Sequence, residues 1–533
     1  MSDAQNRPTA ANRRGTARIM NSQPHQERPV LICILLAVLI FSAFCLTSSN
    51  LRFGYEGFNI AEAEAWVTGK HAPPGKSGLI EIAAYLPSAY VKAKLAAIGK
   101  LYDIQWLAYA FVQPFVTTLM CLVFFGFCRD LYGRLSTPSV LTLILAFTTM
   151  VWPYSKFGME NHQSLWTLAA VWSLFRYSRE PQRSTAAALS LSLAALALTK
   201  MTGVLLCAAL IASTGWLVLT RGFCSRRGFA AHSAIVLFVG LVGLAIFLLS
   251  NRLRYGGWLF TGRYSPYAEI ASLPLVESVA ALLISPGKSI FLFSPPLVIG
   301  LFYYGCFLRR FPAMRVVFVA MAVTALWYIT KVRFFNDETW GPRRLHFLVP
   351  LMCLPLGCWW ERRRETSIYR RWSAYAIVVL GLFFQLPAVS FDYTSHAFAL
   401  GKTPLYSIDN NVWLPQLNAL RFNLHLCRSL ISKHRGAGSI DFVYAQSFCP
   451  WDGPDTPPPP LRFDVSKYDH LDLWYLQQQA QWPKPYWFRF PASYIALGLA
   501  ALFIVAIIGL IRFWPRGEPM DSLKKTPENP RQG

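Results

Sequence analysis

The side chains able to move protons or hold phosphate fall in short polar stretches between long apolar runs. The first is Tyr55-Glu56-Gly57-Phe58, a few residues past an apolar run at 30–48. A carboxylate held at a lipid surface is partly desolvated, which raises its proton affinity toward that of a useful general base. The plainer reading pairs Glu56 with Arg52, and Glu62 and Glu64 read as solvated positions of the helix that follows. The second stretch, Trp152 to Asn161, sits in a short turn and carries Lys156, Glu160, Asn161 and then His162. Lys156 and Glu160 stand four residues apart, the spacing of a helical ion pair, so they either serve a substrate or pair with each other.

The third stretch runs from Asn251 to Gly257, continues to Thr261-Gly262-Arg263-Tyr264, and is followed by Ser285-Pro286-Gly287-Lys288. Its cations Arg252, Arg254, Arg263 and Lys288 call for anions, either lipid headgroups or the phosphate of a lipid-linked substrate. The fourth, Phe335 to Arg344, places Asp337 and Glu338 before Arg343 and Arg344. Two adjacent carboxylates without a histidine or a spaced third acid rarely hold a metal, so no metal site is assigned. Lys200, in a turn between two apolar runs, is a further candidate for contact with phosphate. No Gly-rich nucleotide loop, His-Glu-x-x-His or Gly-x-Ser-x-Gly occurs, so ATP-driven chemistry is not indicated.

These stretches need elements to position them, and the composition says which kind. Of 533 residues 54% are hydrophobic and 15% charged, against about 25% charged in soluble domains. The net charge of +24 is spread as Lys and Arg that punctuate apolar runs, which excludes a nucleic-acid-binding face. Apolar runs near bilayer length occur at 30–48, 106–128, 138–154, 162–178, 184–199, 202–220, 229–250, 289–308, 314–331, 345–360, 373–390 and 491–513. The expected fold is an all-α polytopic membrane protein of about twelve transmembrane helices. It has a large first outside loop at 51–105 and a small irregular outside domain at 391–490 before the last helix at 491–513. Residues 30–390 form the transmembrane core, and 1–29 and 514–533 are tails. Short loops bearing Arg226, Arg227, Arg309, Arg310 and Arg362 to Arg364 place both tails in the cytoplasm by the positive-inside rule. The first run lacks a small-x-small cleavage site and reads as a signal anchor. Of 11 cysteines only Cys427 and Cys449 lie in a long outside segment, where they form a disulfide or stay as two thiols. In the first loop a helix capped by Asn59 should end at Gly69, and a second should carry Leu79, Ile82, Leu86 and Tyr90 on one face.

Five stretches in order resemble the GT-C superfamily of membrane glycosyltransferases, in its polyprenyl-phosphate-sugar-dependent, protein-mannosyltransferase-like branch. They are Pro73-Pro74-Gly75-Lys76-Ser77 leading to Tyr85-Leu86-Pro87; Trp152 to Lys156 with Glu160; Asn251 to Gly256 with Thr261-Gly262; Ser285 to Lys288 before Phe291 to Pro296; and Trp340-Gly341-Pro342-Arg343 with Pro350. The resemblance spans about residues 50–360 and implies an inverting glycosyltransferase of a bacterial inner membrane, acting on its periplasmic face. It further implies a polyprenyl-phosphate-sugar donor, a glycan, lipid or protein acceptor, and no metal cofactor. Glu56 takes the place of the family's catalytic acid, where Asp is commoner, and Lys200 stands where relatives carry Arg. The substrate contacts implied are Lys156, Glu160, Lys200, Arg263, Tyr264, Lys288, Arg343 and Arg344. The 391–490 region matches nothing in that family.

Overall fold

A computed structural model of the protein describes residues 23–49, 55–70, 78–98, 109–158, 160–221, 226–258, 274–331, 340–392, 395–396, 413, 418–444, 461–476 and 489–514. The described chain is overwhelmingly helical. Its first part contains α1 (Gln23–Leu46), α2 (Tyr55–Thr68), α3 (Leu79–Ala83), α4 (Leu86–Ile98), α5 (Val112–Tyr132), α6 (Ser136–Thr148), α7 (Val151–Phe157) and α8 (Asn161–Arg179). Next come α9 (Arg183–Ala197), α10 (Met201–Arg221), α11 (Arg226–Tyr255), α12 (Leu275–Ile284), α13 (Ile290–Phe293), α14 (Pro296–Arg310) and α15 (Pro312–Lys331). The last part holds α16 (Leu348–Cys353), α17 (Leu356–Arg362), α18 (Ile368–Ser390), α19 (Ala419–His434), an antiparallel ribbon of β1 (Phe442–Tyr444) and β2 (Leu461–Phe463), and α20 (Arg489–Phe513).

Where they are described, all twelve apolar runs fall in helices, but three are broken in the middle: between α6 and α7 at Thr149-Met150, between α13 and α14 at Ser294-Pro295, and between α16 and α17 at Leu354-Pro355. Proline explains the last two, because it cannot donate to the helix ladder. Among the described residues five helices are long and apolar enough to cross a membrane: Pro29–Leu46, Val112–Tyr132, Phe238–Tyr255, Ile368–Ser390 and Ser493–Phe513. This is the character of a helical membrane protein. The remaining runs fold into helices that are shorter, interrupted or more polar, such as the 13-residue α6.

One continuous core joins α5, α6, α8, α9, α14 and α18 through residues such as Phe124, Leu145, Leu168, Leu189 and Leu297. The terminal helix α20 returns along α1, closing over Leu36, Phe125, Ala506 and Leu510. A separate small core of Phe391, Phe422, Leu426, Phe442, Phe463 and Val465 organises α19 and the ribbon.

The bundle has two polar ends. The 21 residues of α5 rise about 30 Å at roughly 1.5 Å each, from Gln113 to Tyr132. At the Tyr132 end, its hydroxyl donates to the Leu354 carbonyl, Trp172 Nε1 donates to Asp130 at 2.8 Å, and Arg310 pairs with Glu361. At the Gln113 end gather the first loop, the turn before α8, the turn before α10, the 340–346 segment and residues 471–474. Every stretch read from the sequence as outside, wherever it is described, therefore lies at one end.

Within the first loop two expectations change. Helix α2 begins at Tyr55, so Asn59 is buried inside it and caps nothing, although the stop at Gly69 is found with φ +68. The second helix is broken into α3 and α4, and its buried face is Ile82, Tyr85 and Ala89, leaving Tyr90 exposed.

Candidate functional site

The site is built around Glu160. Helix α7 ends at Gly158, which takes the left-handed conformation with φ +68 and whose N–H returns to the Tyr154 carbonyl at 3.1 Å. The chain then turns abruptly into α8, and Glu160, at its N-terminal boundary, also adopts a left-handed φ of +65. It is the one non-glycine residue with positive φ among the described residues, a conformation that costs roughly 1–2 kcal/mol. Such strain persists where surrounding contacts over-determine it, and here they do.

Lys200 Nζ pairs with Glu160 Oε2, and Arg343 Nε lies 3.7 Å from Oε1. Burial by itself would raise the Glu160 proton affinity, but Lys200, Arg343 and Arg344 outweigh it and hold the carboxyl below the ordinary carboxylate range. Glu160 is therefore an anion, ringed by cations from two turns that are 40 and 183 positions away in sequence. His346 lies within electrostatic reach of the same pair, stacks against Tyr154 with centroids 4.7 Å apart, and shares a 2.7 Å hydrogen bond between Nδ1 and Ser164 Oγ.

Polar bonds connect this cluster to the first loop. Asn161 Nδ2 donates to the Tyr154 carbonyl at 2.8 Å and to Gln113 Oε1 at 3.2 Å, and Gln113 Nε2 donates to the Tyr85 hydroxyl at 2.7 Å. The backbone adds a second tie, because Gly78 N–H donates to the Thr199 carbonyl at 2.6 Å, next to Lys200. A Cβ at Gly78 would strike the carbonyls of Leu198 and Thr199, so only glycine allows this approach.

The 340–346 segment is clamped from the other side. Tyr154 hydroxyl donates to the Trp340 carbonyl at 3.0 Å, Trp340 Nε1 to Gln385 Oε1 at 3.1 Å, and Gln385 Nε2 to the Phe293 carbonyl at 2.9 Å. Gly341, with φ +66, makes the turn that presents Arg343. Lys288, itself buried, donates to the Gly341 carbonyl at 3.3 Å. Among the described residues His346 Nε2, His162 Nε2 and Asn161 Oδ1 are buried without a hydrogen-bond partner. Buried polar atoms are normally satisfied, so this cluster has bonding capacity for a ligand or water.

The sequence-expected residues divide into groups. Glu160, Lys200, Arg343 and Arg344 come together, and Lys288 stands beside them through Gly341. Lys156 does not join: it is 2% exposed, forms a 2.7 Å ion pair with Asp472, and donates to the carbonyls of Val389, Phe391 and Asp472. The expected helical pair between Lys156 and Glu160 is absent because α7 ends between them. Glu62 is not solvated: it is 3% exposed and takes Arg254 in a two-bonded fork at 2.6 and 2.8 Å, so a carboxylate of this chain meets that arginine. Glu64 accepts from Lys92 at 2.6 Å and Tyr109 at 2.9 Å.

Glu56 falls in the first turn of α2, but its side chain lies outside the described residues, as do Arg263, Tyr264, Asp337, Glu338 and Cys449. Cys427 is half-buried on α19, and no two described cysteines are bridged. Among the described residues no three His, Cys, Asp or Glu side chains could hold a metal together. Sequence reasoning missed His346, Ser164, Gln113 and Asp472; a lone polar residue in an apolar run was the available signal for the first three.

No protein-family model and no curated protein is similar enough to the chain to assign it to a family.

Proposed function

We propose that the protein is an inverting GT-C-type membrane glycosyltransferase, moving a sugar from a polyprenyl-phosphate-linked donor to a hydroxyl of a glycan, lipid or protein acceptor. The observation that carries the reading is the meeting of Lys200, Arg343 and Arg344 on Glu160, at the bundle end where the first loop docks through Gly78. A sugar leaving group that is a phosphate needs fixed cations, and a lipid-tethered donor needs them at a bundle end between helices apolar enough for a bilayer.

In the proposed reaction Glu56 takes the proton of the acceptor hydroxyl as its oxygen bonds to the anomeric carbon. The bond from that carbon to the donor phosphate breaks on the opposite face, which inverts the centre. The phosphate oxygen carries away the electron pair and is received by Arg343 and Arg344, whose forked donors match two phosphate oxygens, and by the point charge of Lys200. Glu160 is a positioning residue, holding Lys200 and Arg343 in register for the departing anion. The cations supply the charge stabilisation, so the reading assigns no metal to the step. The working face is periplasmic, in a bacterial inner membrane.

The test is transfer from a polyprenyl-phosphate-linked sugar by the full-length protein in membranes. Glu56→Gln should reduce the rate by about 10²–10⁴-fold, the range for losing a general base. Unchanged transfer by a folded, inserted Glu56→Gln protein removes the base assignment. A flippase or transporter is the second reading, which the breaks at Ser294-Pro295 and Leu354-Pro355 favour. The charged cluster sits at a bundle end with the first loop docked beside it, which weighs toward transfer.

A further inference from the structure

At the end of the bundle opposite Glu160, aromatic side chains collect in a band. Trp359 packs against Trp360 and against Tyr375, each with centroids 5.9 Å apart, and Trp372 packs against Tyr375 at 5.8 Å. Tryptophan and tyrosine are enriched at headgroup level, where one side of the ring is apolar and the other wet. Two helices end in arginine at that level, α14 with Arg309 and Arg310 and α17 with Arg362.

Between these two ends lies a cavity of about 400 Å³, lined by Arg309, Arg310, Arg362, Cys306 and Cys358. Arg310 is half-spent: it pairs with Glu361 and covers the rings of Tyr132 and Phe311. Arg309 and Arg362 are exposed and pair with no acid among the described residues. Arginine does not deprotonate, so the cavity keeps its cationic lining at any working pH. Among the described residues one carboxylate, Glu361, is paired with one of the three guanidinium groups. Three guanidinium groups around one cavity repel one another, and an anion seated between them relieves that repulsion.

We propose that this cavity binds a phosphate group, presented by an anionic phospholipid headgroup or as free phosphate. Its forked arginine donors fit phosphate oxygens. Its place in an aromatic band, between helix ends, is where basic pockets take anionic headgroups. The site lies at the other end of the molecule from the Glu160 cluster and does not depend on the transfer reaction.

Cys306 on its wall supplies a reporter, because its alkylation should slow when an anion fills the space. The experiment places full-length protein in phosphatidylcholine nanodiscs, with and without phosphatidylglycerol, and in a second arm adds inorganic phosphate. It reads Cys306 alkylation by mass spectrometry together with the thermal midpoint. Phosphatidylglycerol is expected to slow alkylation and raise the midpoint. Arg309→Gln with Arg362→Gln should weaken the apparent affinity roughly thirtyfold, about fivefold per arginine near an anionic surface. Arg309→Lys with Arg362→Lys should keep part of the response, which guards against a Gln variant that merely folds badly. A response to the lipid alone assigns the headgroup, and a response to inorganic phosphate alone assigns the free ion. No response to either anion, or equal responses from native protein and the Gln variant, overturns the proposal.

Discussion

Glu160 holds a charge in a place that would ordinarily neutralise it. Desolvation favours the protonated carboxyl, yet Lys200, Arg343 and Arg344 keep its proton affinity below the ordinary value. The sign of the resulting pH dependence follows. An unfolded glutamate titrates near 4.3, and the folded group titrates lower, so its stabilisation is complete above that value and lost as the pH falls through the folded one. Asp469, held low by Ser439, Ser429 and Lys433 despite burial, acts in the same direction. The native protein should therefore lose stability on acidification below about pH 4.3. Glu160→Gln should be less stable at neutral pH by about 3 kcal/mol, the low end for breaking a buried pair, and should show a shallower acid limb. Thermal unfolding of both proteins across that pH range is the measurement, and parallel curves would contradict the assignment.

At the scale of elements, the segment that precedes α20 is pinned to the helices by one buried pair. Asp472 faces Lys156 at 2.7 Å, accepts from Ser49 at 2.9 Å, and its N–H donates to the Ser390 carbonyl at 2.8 Å. Two residues on, Trp474 closes over the end of α1, its Nε1 donating to the Cys45 carbonyl at 2.8 Å. The pair thus fastens the ends of α1, α7 and α18 to the segment after the ribbon. Removing one partner leaves the other charge buried, so Lys156→Met should cost about 3–5 kcal/mol. Pairing it with Asp472→Leu should restore part of that loss, with a coupling of about 1–3 kcal/mol in a double-mutant cycle. Strictly additive losses in chemical denaturation would show that the pair is not a lock.

For the whole molecule, the two polar ends make a statement about sidedness. Arg364 follows α17 at the end carrying Arg310 and Glu361, while Gly436 follows α19 in the region fastened to the other end through Asp472. Between them runs α18, with 23 residues and the apolarity of a membrane span. Reporter fusions after Arg364 and after Gly436 should consequently report opposite compartments, and the proposed function puts the second in the periplasm. Two fusions reporting one compartment would show that α18 does not cross.

The apolar runs alone determined that the chain is helical and where most of its helices lie, because burying an apolar segment in hydrocarbon needs local composition and nothing else; α12 and α19 lie outside those runs. Local chemistry also marked Glu160, Lys200 and the Arg343-Arg344 pair as costly charges wanting partners. Who the partners are was decided by packing. Lys156 lies 316 positions from Asp472, and Arg254 lies 192 from Glu62, distances over which spacing carries no signal. The near pair Lys156 and Glu160 was legible but misleading, since a glycine in the left-handed conformation ends the helix between them. Of the breaks in three apolar runs, Pro295 and Pro355 marked two in the sequence, while the one at Thr149-Met150 has no such mark and only its neighbours fix the new direction. Sequence names the charges and the hydrocarbon-length segments; tertiary contact assigns each charge its partner, because ion pairing depends on distance in space, and folding alone sets that.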